Sequence, residues 1–389
     1  MRVRRRAIGL LLGAGVLYLI GTNAQAGWLF VLAVLLLGTA AAGTILPLTT
    51  LRRLDVELSA PAETRQGEPT AVEVRIANRG RATRWGVVAH DEHLGGATTW
   101  LGSIRPGEVV TLTSVRGAPR RGEAHTGWVE LRSSAPFGVA ERRRRHPVEG
   151  TTLVLPRSVP LAEPSFIESS MSREPSARTE PRRGPGPEYL GVREYRPGDP
   201  VRQVHWRLTA RHGELVVRDL EEERMPRLAI WLDTPSEEVA LDRCCTIAAS
   251  LLDAATATGA GVRLAAATHA GPISASRARA IDLHRWLARL GPSRVDAATG
   301  IGWLDGESLR GVGTLVAITS VMPTEGVVEA VTEHIPWVSR LVVVVPVDDA
   351  MALVGDPSIE ALLLGGVDVV PWIGDDLAPP IRRTVAIGT

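Results

Sequence analysis

The chain contains no lysine; all 44 of its basic residues are arginine. A phosphate-cradling Gly-x-x-x-x-Gly-Lys loop is therefore excluded, and no Gly-x-Gly-x-x-Gly follows a soluble strand. Cysteine is nearly absent. Cys244 and Cys245 are the only two. Neighbouring residues on a helix point about 100° apart, which suits two buried, reduced thiols and not a bridge. The nine histidines are scattered without a metal spacing, and there is no Gly-x-Ser-x-Gly elbow for hydrolysis. Charge of one sign is also lacking. The 43 acidic residues leave a net charge of +1, so no basic field points to nucleic acid.

What the chain does have begins with two apolar runs. Four arginines lie within Met1–Arg6, then Ala7–Ile20 is apolar, Gly21–Gly27 is a polar break and Trp28–Leu48 is apolar again. The spacing predicts a transmembrane hairpin over residues 1–53, with helices about 7–21 and 28–48. Arginines flank only its outer ends, Arg52 and Arg53 included. That asymmetry places both ends, and the soluble domains, on the cytoplasmic side of the cell membrane. A signal peptide ending at Ala24-Gln25-Ala26 is the competing reading, and Arg52 and Arg53 oppose the orientation it needs.

From residue 54 to 156 the apolar period becomes two, as in Asp55–Leu58, Ala71–Ile76, Val109–Thr113 and Trp128–Leu131. Asn78-Arg79-Gly80, Pro106-Gly107 and Pro136-Phe137-Gly138 punctuate these runs, and a small antiparallel β-sandwich is expected. Arg142–Arg145 reads as a solvated strand end or turn, with anionic headgroup contact as the alternative. Residues 157–187 are rich in Pro, Ser, Arg, Glu and Gly and read as a flexible linker. From 224 to 389 apolar runs alternate with amphipathic stretches. Strands are expected at Leu228–Leu232, Gly261–Ala267, Thr314–Ile318, Leu341–Val347 and Val367–Val370. Helices are expected at Val239–Thr258, Arg277–Leu290, Thr324–Trp337 and Ser358–Leu364. Continuous apolar strands between helices imply a doubly wound α/β domain with ligands at the carboxyl ends of its strands.

Between these regions, residues 188–223 carry the densest chemistry. Pro197-Gly198 suits a tight turn, Asp199 a helix cap with Pro200 at the first position, and Gly213 a stop. Val201, Val204, His205 and Leu208 would share one face of that helix. The ordered set Arg193, Tyr195, Gly198, Asp199, Arg202, Trp206, Arg211 and Arg218, with Ala210, Leu215, Val217 and an acidic run, resembles the signature of the bacterial domain of unknown function 58 family. His205 departs from it, since an Asp commonly precedes the tryptophan there. The resemblance implies a von Willebrand factor A-like C-terminal domain and a partner, since such proteins are typically encoded beside MoxR-type AAA+ ATPases.

That resemblance also implies a metal motif to look for, Asp-x-Ser-x-Ser with a further Thr and Asp. Asp233 matches, but Pro235 and Glu237 stand at the serine positions, leaving Asp233, Thr234 and Ser236 as a degenerate candidate set. Thr234 or Ser236 could instead cap the next helix. No metal and no cofactor are expected. The leading expectation is a non-enzymatic membrane-anchored scaffold or adaptor, with Arg202, Trp206 and Arg211 docking the partner and Tyr195, Gly198 and Asp199 holding that surface in shape. The alternatives are an enzyme using signature residues such as His205, Asp199 and Glu221, and a divalent-metal-dependent binding module.

Overall fold

The computed structural model describes residues 2–3, 5–161, 189–196, 204–220, 228–268, 271–276, 279–306, 309 and 312–381. The chain divides into two units, Met1–Arg157 and Ser158–Thr389.

The first unit opens with a short strand β1 (Arg2–Val3), then helices α1 (Arg5–Ala24) and α2 (Gly27–Thr50). Both are long and apolar enough to cross a membrane. They run further than expected, because most of the polar break Gly21–Gly27 stays helical. Only Gln25 and Ala26 separate the helices, with Gln25 at φ 48°. Gly21 permits the return, since a Cβ there would lie 3.2 Å from the Leu29 Cβ.

Eight strands follow: β2 (Leu54–Ser59), β3 (Glu63–Arg65), β4 (Pro69–Asn78), β5 (Arg84–Asp91), β6 (Ala97–Ile104), β7 (Val109–Gly117), β8 (Gly122–Ser133) and β9 (Ala140–Leu155). One sheet has the order β2-β4-β7. The other has the order β1-β9-β8-β5-β6, with β3 also on β9. Residues of both sheets, among them Val56, Ile76, Val87, Ile104 and Leu131, share one apolar core. The turn signal at Asn78 holds: its side-chain N–H donates to Ala82 O (2.9 Å) and Ile104 O (3.0 Å), and its oxygen accepts from the Gly80 N–H.

A buried ion pair crosses this unit. Arg116 donates from its two terminal nitrogens to the two Asp91 oxygens, at 2.6 and 3.0 Å, and to the His93 carbonyl at 2.6 Å. The His93 ring is hydrogen-bonded to Thr126 and Thr152. Burial lowers the His93 pKa, and Arg116 adds to this against the pull of Asp91, which favours the neutral ring.

The Arg142–Arg145 run is neither a strand end nor a turn. It lies within β9, where successive side chains alternate between faces. Arg143 and Arg145 converge with Arg132 on Glu130 of β8, and the Arg145 guanidinium lies 4.3 Å from the Trp128 ring centroid. Arg144, on the other face, donates to the Leu51 carbonyl at 3.2 Å. Three of the four arginines thus have carboxylate or carbonyl partners inside the unit.

The second unit contains β10 (Tyr189–Glu194), α3 (Trp206–His212), β11 (Val216–Leu220), β12 (Leu228–Leu232), α4 (Glu238–Ala257), β13 (Val262–Thr268), β14 (Gly271–Ser276), α5 (Ala280–Arg289), α6 (Ala297–Gly302), β15 (Thr314–Ile318), α7 (Glu325–Thr332), β16 (Arg340–Val347), α8 (Pro357–Leu364), β17 (Asp368–Ile373) and β18 (Asp376–Leu377). The large sheet has the order β14-β13-β12-β15-β16-β17-β18. Its five inner strands are parallel and its two edges antiparallel. Residues of α4 and α5 cover one face, and those of α6, α7 and α8 the other. Each fully buried Val or Leu on such a strand contributes roughly 1.5–3 kcal/mol.

Three expectations shift here. The helix expected over Arg277–Leu290 starts at Ala280, with the edge strand β14 before it. The one expected over Thr324–Trp337 ends at Thr332, and Ile335–Trp337 forms a separate 3₁₀ turn around Pro336. Short α6 carried too weak a period to be seen. The linker expected at 157–187 lies almost wholly outside the described residues. Its first residues are docked on α4, where Ser158 donates to Asp253 and the Val159 N–H to Ser250.

The Glu130 cluster makes a pH-dependent contribution. Burial alone would raise its carboxyl, but the guanidiniums of Arg132, Arg143 and Arg145 outweigh this and hold it below the ordinary 4.5. A depressed carboxyl stabilises above its unfolded pKa and loses that contribution as pH falls through the folded value. Glu130→Gln should therefore cost about 1–3 kcal/mol at pH 7. Melting curves of the two proteins in detergent should converge as pH drops below 4.5.

Candidate functional site

Two places in the second unit bring polar chemistry together. The first is the signature. β10 and β11 pair antiparallel, from Tyr189↔Leu220 to Glu194↔Val216, and Tyr195 continues the ladder by donating to Leu215 O at 2.8 Å. Val204 bridges to Val217, and the His205 N–H donates to Val216 O. Val204, Val216 and Val217 are buried. The hairpin thus supplies an apolar inner side on which the short helix α3 is mounted.

That helix starts at Trp206, not near Pro200. Its N-cap is His205, whose backbone is non-helical and whose Nδ1 accepts from the Leu208 N–H at 3.4 Å. Hence His205 is a capping residue and not a member of the helical face expected for it. The cap expected at Asp199 is not the cap of this helix. A helix running unbroken from Pro200 to Gly213 is not formed, because Val204 and His205 are not helical. Gly213 ends α3 at φ 79°, as its sequence position implied. Thr209 then ties helix to strand by accepting from the Val216 N–H at 3.1 Å.

What α3 presents outward is Trp206, 63% exposed, with Ala210 one turn on, beside Arg207 and Arg211. Arg207 drew no notice in the sequence, because its role depends on where the helix begins. Arg193 donates to the Glu194 carbonyl at 3.0 Å. Gly198, Asp199, Arg202 and Glu221 lie outside the described residues, as does the Arg218 side chain.

The second place is the carboxyl edge of the parallel sheet. Strand order reverses at β12, which has β13 on one side and β15 on the other, so the crevice between β12 and β15 is where such sheets bind ligands. Asp233 follows β12 and Ser320 follows β15. They meet directly: the Ser320 hydroxyl donates to Asp233, and so does its N–H at 3.3 Å. The Thr234 hydroxyl donates to the Ala267 carbonyl, and the Thr234 carbonyl accepts from the Ser293 N–H at 3.1 Å. Neither Thr234 nor Ser236 caps α4; its N-cap is Glu237. One Asp233 oxygen and both Thr234 oxygens are thus engaged with protein donors and acceptors. Burial raises the Asp233 pKa; hydrogen bonds from Ser320 and Thr234 oppose this, and Asp296 adds to it.

Elsewhere, Asp253 accepts from Ser158 at 2.5 Å and lies 2.6 Å from the His284 Nε2. The carboxylate stands between hydroxyl and ring, so the imidazole cannot take the serine proton directly. This set is a clasp for the chain's entry into the unit.

Two outcomes follow at Asp233. Millimolar Mg²⁺ should leave the melting temperature unchanged, in wild type and in Asp233→Ala alike. A raised carboxyl pKa means stability that is full below the unfolded value of 3.8 and is lost as pH rises through the folded one. Asp233→Asn should thus melt higher than wild type at pH 7 and lose that advantage in acid.

Matching solved structures include the CARDB domain of a Pyrococcus furiosus protein. Its crystal structure is 19% identical, covers 26% of this chain and 91% of that one, and has a TM-score of 0.20. The Bacillus subtilis sporulation control protein Spo0M is 13% identical, covers 37% of this chain and 58% of that one, and has a TM-score of 0.15. At these TM-scores neither likeness bears on fold or function. No curated protein matches this chain. The family comparison does bear on it: residues 191–335, which include α3 and the Asp233 edge, match the model of the family described as "Protein of unknown function DUF58".

Proposed function

We propose that this protein is a membrane-anchored, non-enzymatic adaptor whose signature helix α3 docks a protein partner. The carrying observation is Trp206, held largely in solvent on a helix whose own support is buried. An exposed Trp beside arginines is the composition favoured at the energetic centre of interfaces. The partner class is the one the family resemblance implies, a MoxR-type AAA+ ATPase. Arg202 and Arg218 belong to the same surface in this reading, and Arg207 joins them.

The architecture proposed to carry that role keeps the expected division: a transmembrane hairpin (1–53), a β-sandwich (54–156), a linker (157–187), the signature (188–223) and a doubly wound, von Willebrand factor A-like domain (224–389). A core shared by two sheets supports the sandwich. The order β13-β12-β15-β16-β17, with helices on both faces, supports the doubly wound domain. For the hairpin, β1 pairs with β9 at Arg2↔Glu141, which keeps the start of α1 beside the domain that follows α2. Both helix ends then lie on one side, and the flanking arginines make it the cytoplasmic side.

Partner capture tests the docking. Trp206→Ala and Arg211→Ala should each weaken binding to a purified MoxR-type ATPase by about 2 kcal/mol, some thirtyfold. Their melting temperatures should stay within the range of a surface change, about 0.5 kcal/mol. Loss of folding with intact binding per folded molecule would make Trp206 a structural residue. For topology, a reporter active only in the cytoplasm should work when fused after Thr389, and one active only outside should be silent.

A further inference from the structure

α2 does not simply end at the β-sheet unit; part of that unit descends alongside it. The carbonyls of Thr49 and Leu51, at the helix end, accept from Arg84 (2.8 Å) and Arg144 (3.2 Å). These two arginines mark the level at which most of the unit meets the helix. The turn between β8 and β9 reaches further down. A Cβ on Gly43 would lie 2.7 Å from Val139 Cγ2 and 3.6 Å from the Phe137 Cβ, so only glycine lets the turn come this close. Gly43 is six residues before Thr49, which is about 9 Å along a helix. It also lies within the apolar run Trp28–Leu48, ahead of Arg52 and Arg53.

We propose that the turn Ser134–Val139 is a membrane-contacting wedge, lying at the boundary between headgroups and acyl chains beside α2. This rests on the reading that α1 and α2 cross a membrane. Phe137 is 48% exposed at the tip of the turn, while Val139 is buried. Lipid at this depth supplies the apolar cover that water does not. The turn's polar backbone is prepared for such a place. The Gly138 N–H donates to Ser134 O at 2.7 Å, the Ala135 N–H to the Ser133 hydroxyl at 3.4 Å, and that hydroxyl to Trp85 O at 3.1 Å. Charge matches as well. The Arg6 guanidinium, from the first turn of α1, lies against Gly138, at the level of the lipid phosphates.

The test uses the full chain in phosphatidylcholine–phosphatidylglycerol vesicles, with a fluorescent label on single introduced cysteines. Cys244 and Cys245 are buried, and the unmodified protein serves as the labelling blank. Phe137→Cys is compared with two exposed positions. Ile45→Cys lies on α2 near the level of Gly43. Val115→Cys lies on β7 opposite Ala71, at the far end of β4 from Asn78, the partner of Leu54. Lipid carrying a doxyl group high on its acyl chain should quench position 137 about as strongly as 45, and roughly threefold more than 115, with the order reversed for aqueous iodide. If 137 behaves as 115 does while 45 is quenched by lipid, the wedge is overturned and the anchor stands. Shielding of 137 from iodide without quenching by lipid means protein covers the turn, which also overturns it. If 45 itself escapes lipid quenching, the anchor reading fails and the wedge with it.

Discussion

Strands that are apolar on both faces must be covered on both faces, and much of the second unit follows from that constraint. β12 and β15 are buried along their whole length. Neighbouring strands satisfy their backbone groups and helices on either side bury their side chains. Polar chemistry is thereby driven to the strand ends and to segments outside the sheet. At the carboxyl edge it collapses into an internal contact, Ser320 on Asp233, across the crevice that similar sheets leave open for ligands.

The signature repeats this division on a small scale. Its hairpin and the residue leading into α3 bury three valines. His205 and Gly213 close the two ends of the helix through local hydrogen bonds. A helix of seven residues is too short to persist alone, so its exposed Trp206 and arginines are positioned by β-structure. In the proposed docking role, such positioning would lower the ordering cost of binding.

The first unit shows why arginine without lysine is workable. Arg116 needs two parallel donors for Asp91 and a further bond to a carbonyl. Glu130 is covered by three guanidiniums, one of them also over Trp128. A planar fork serves both arrangements where an ammonium would not. Arg84 and Arg144 each donate one hydrogen bond to a carbonyl at the end of α2.

Period and apolar length were sufficient to read the two long helices, the inner strands of the large sheet and the glycine stop after His212 from the sequence, because each is decided by local pattern. The signature was legible as an ordered set of residue types, and Asp233 as a carboxylate at a strand end. Edge strands β14 and β18 and the short α6 were not, since their stability comes from neighbours distant in sequence. Where α3 begins, and hence that Arg207 lies on the helix beside Trp206, was decided by the Val204–Val217 pairing. The partners of Arg143 and Arg145 were decided by Glu130 on the adjacent strand. Whether a charge meets solvent, a carboxylate or a helix end depends on strand register, and register exists only once the sheet has formed.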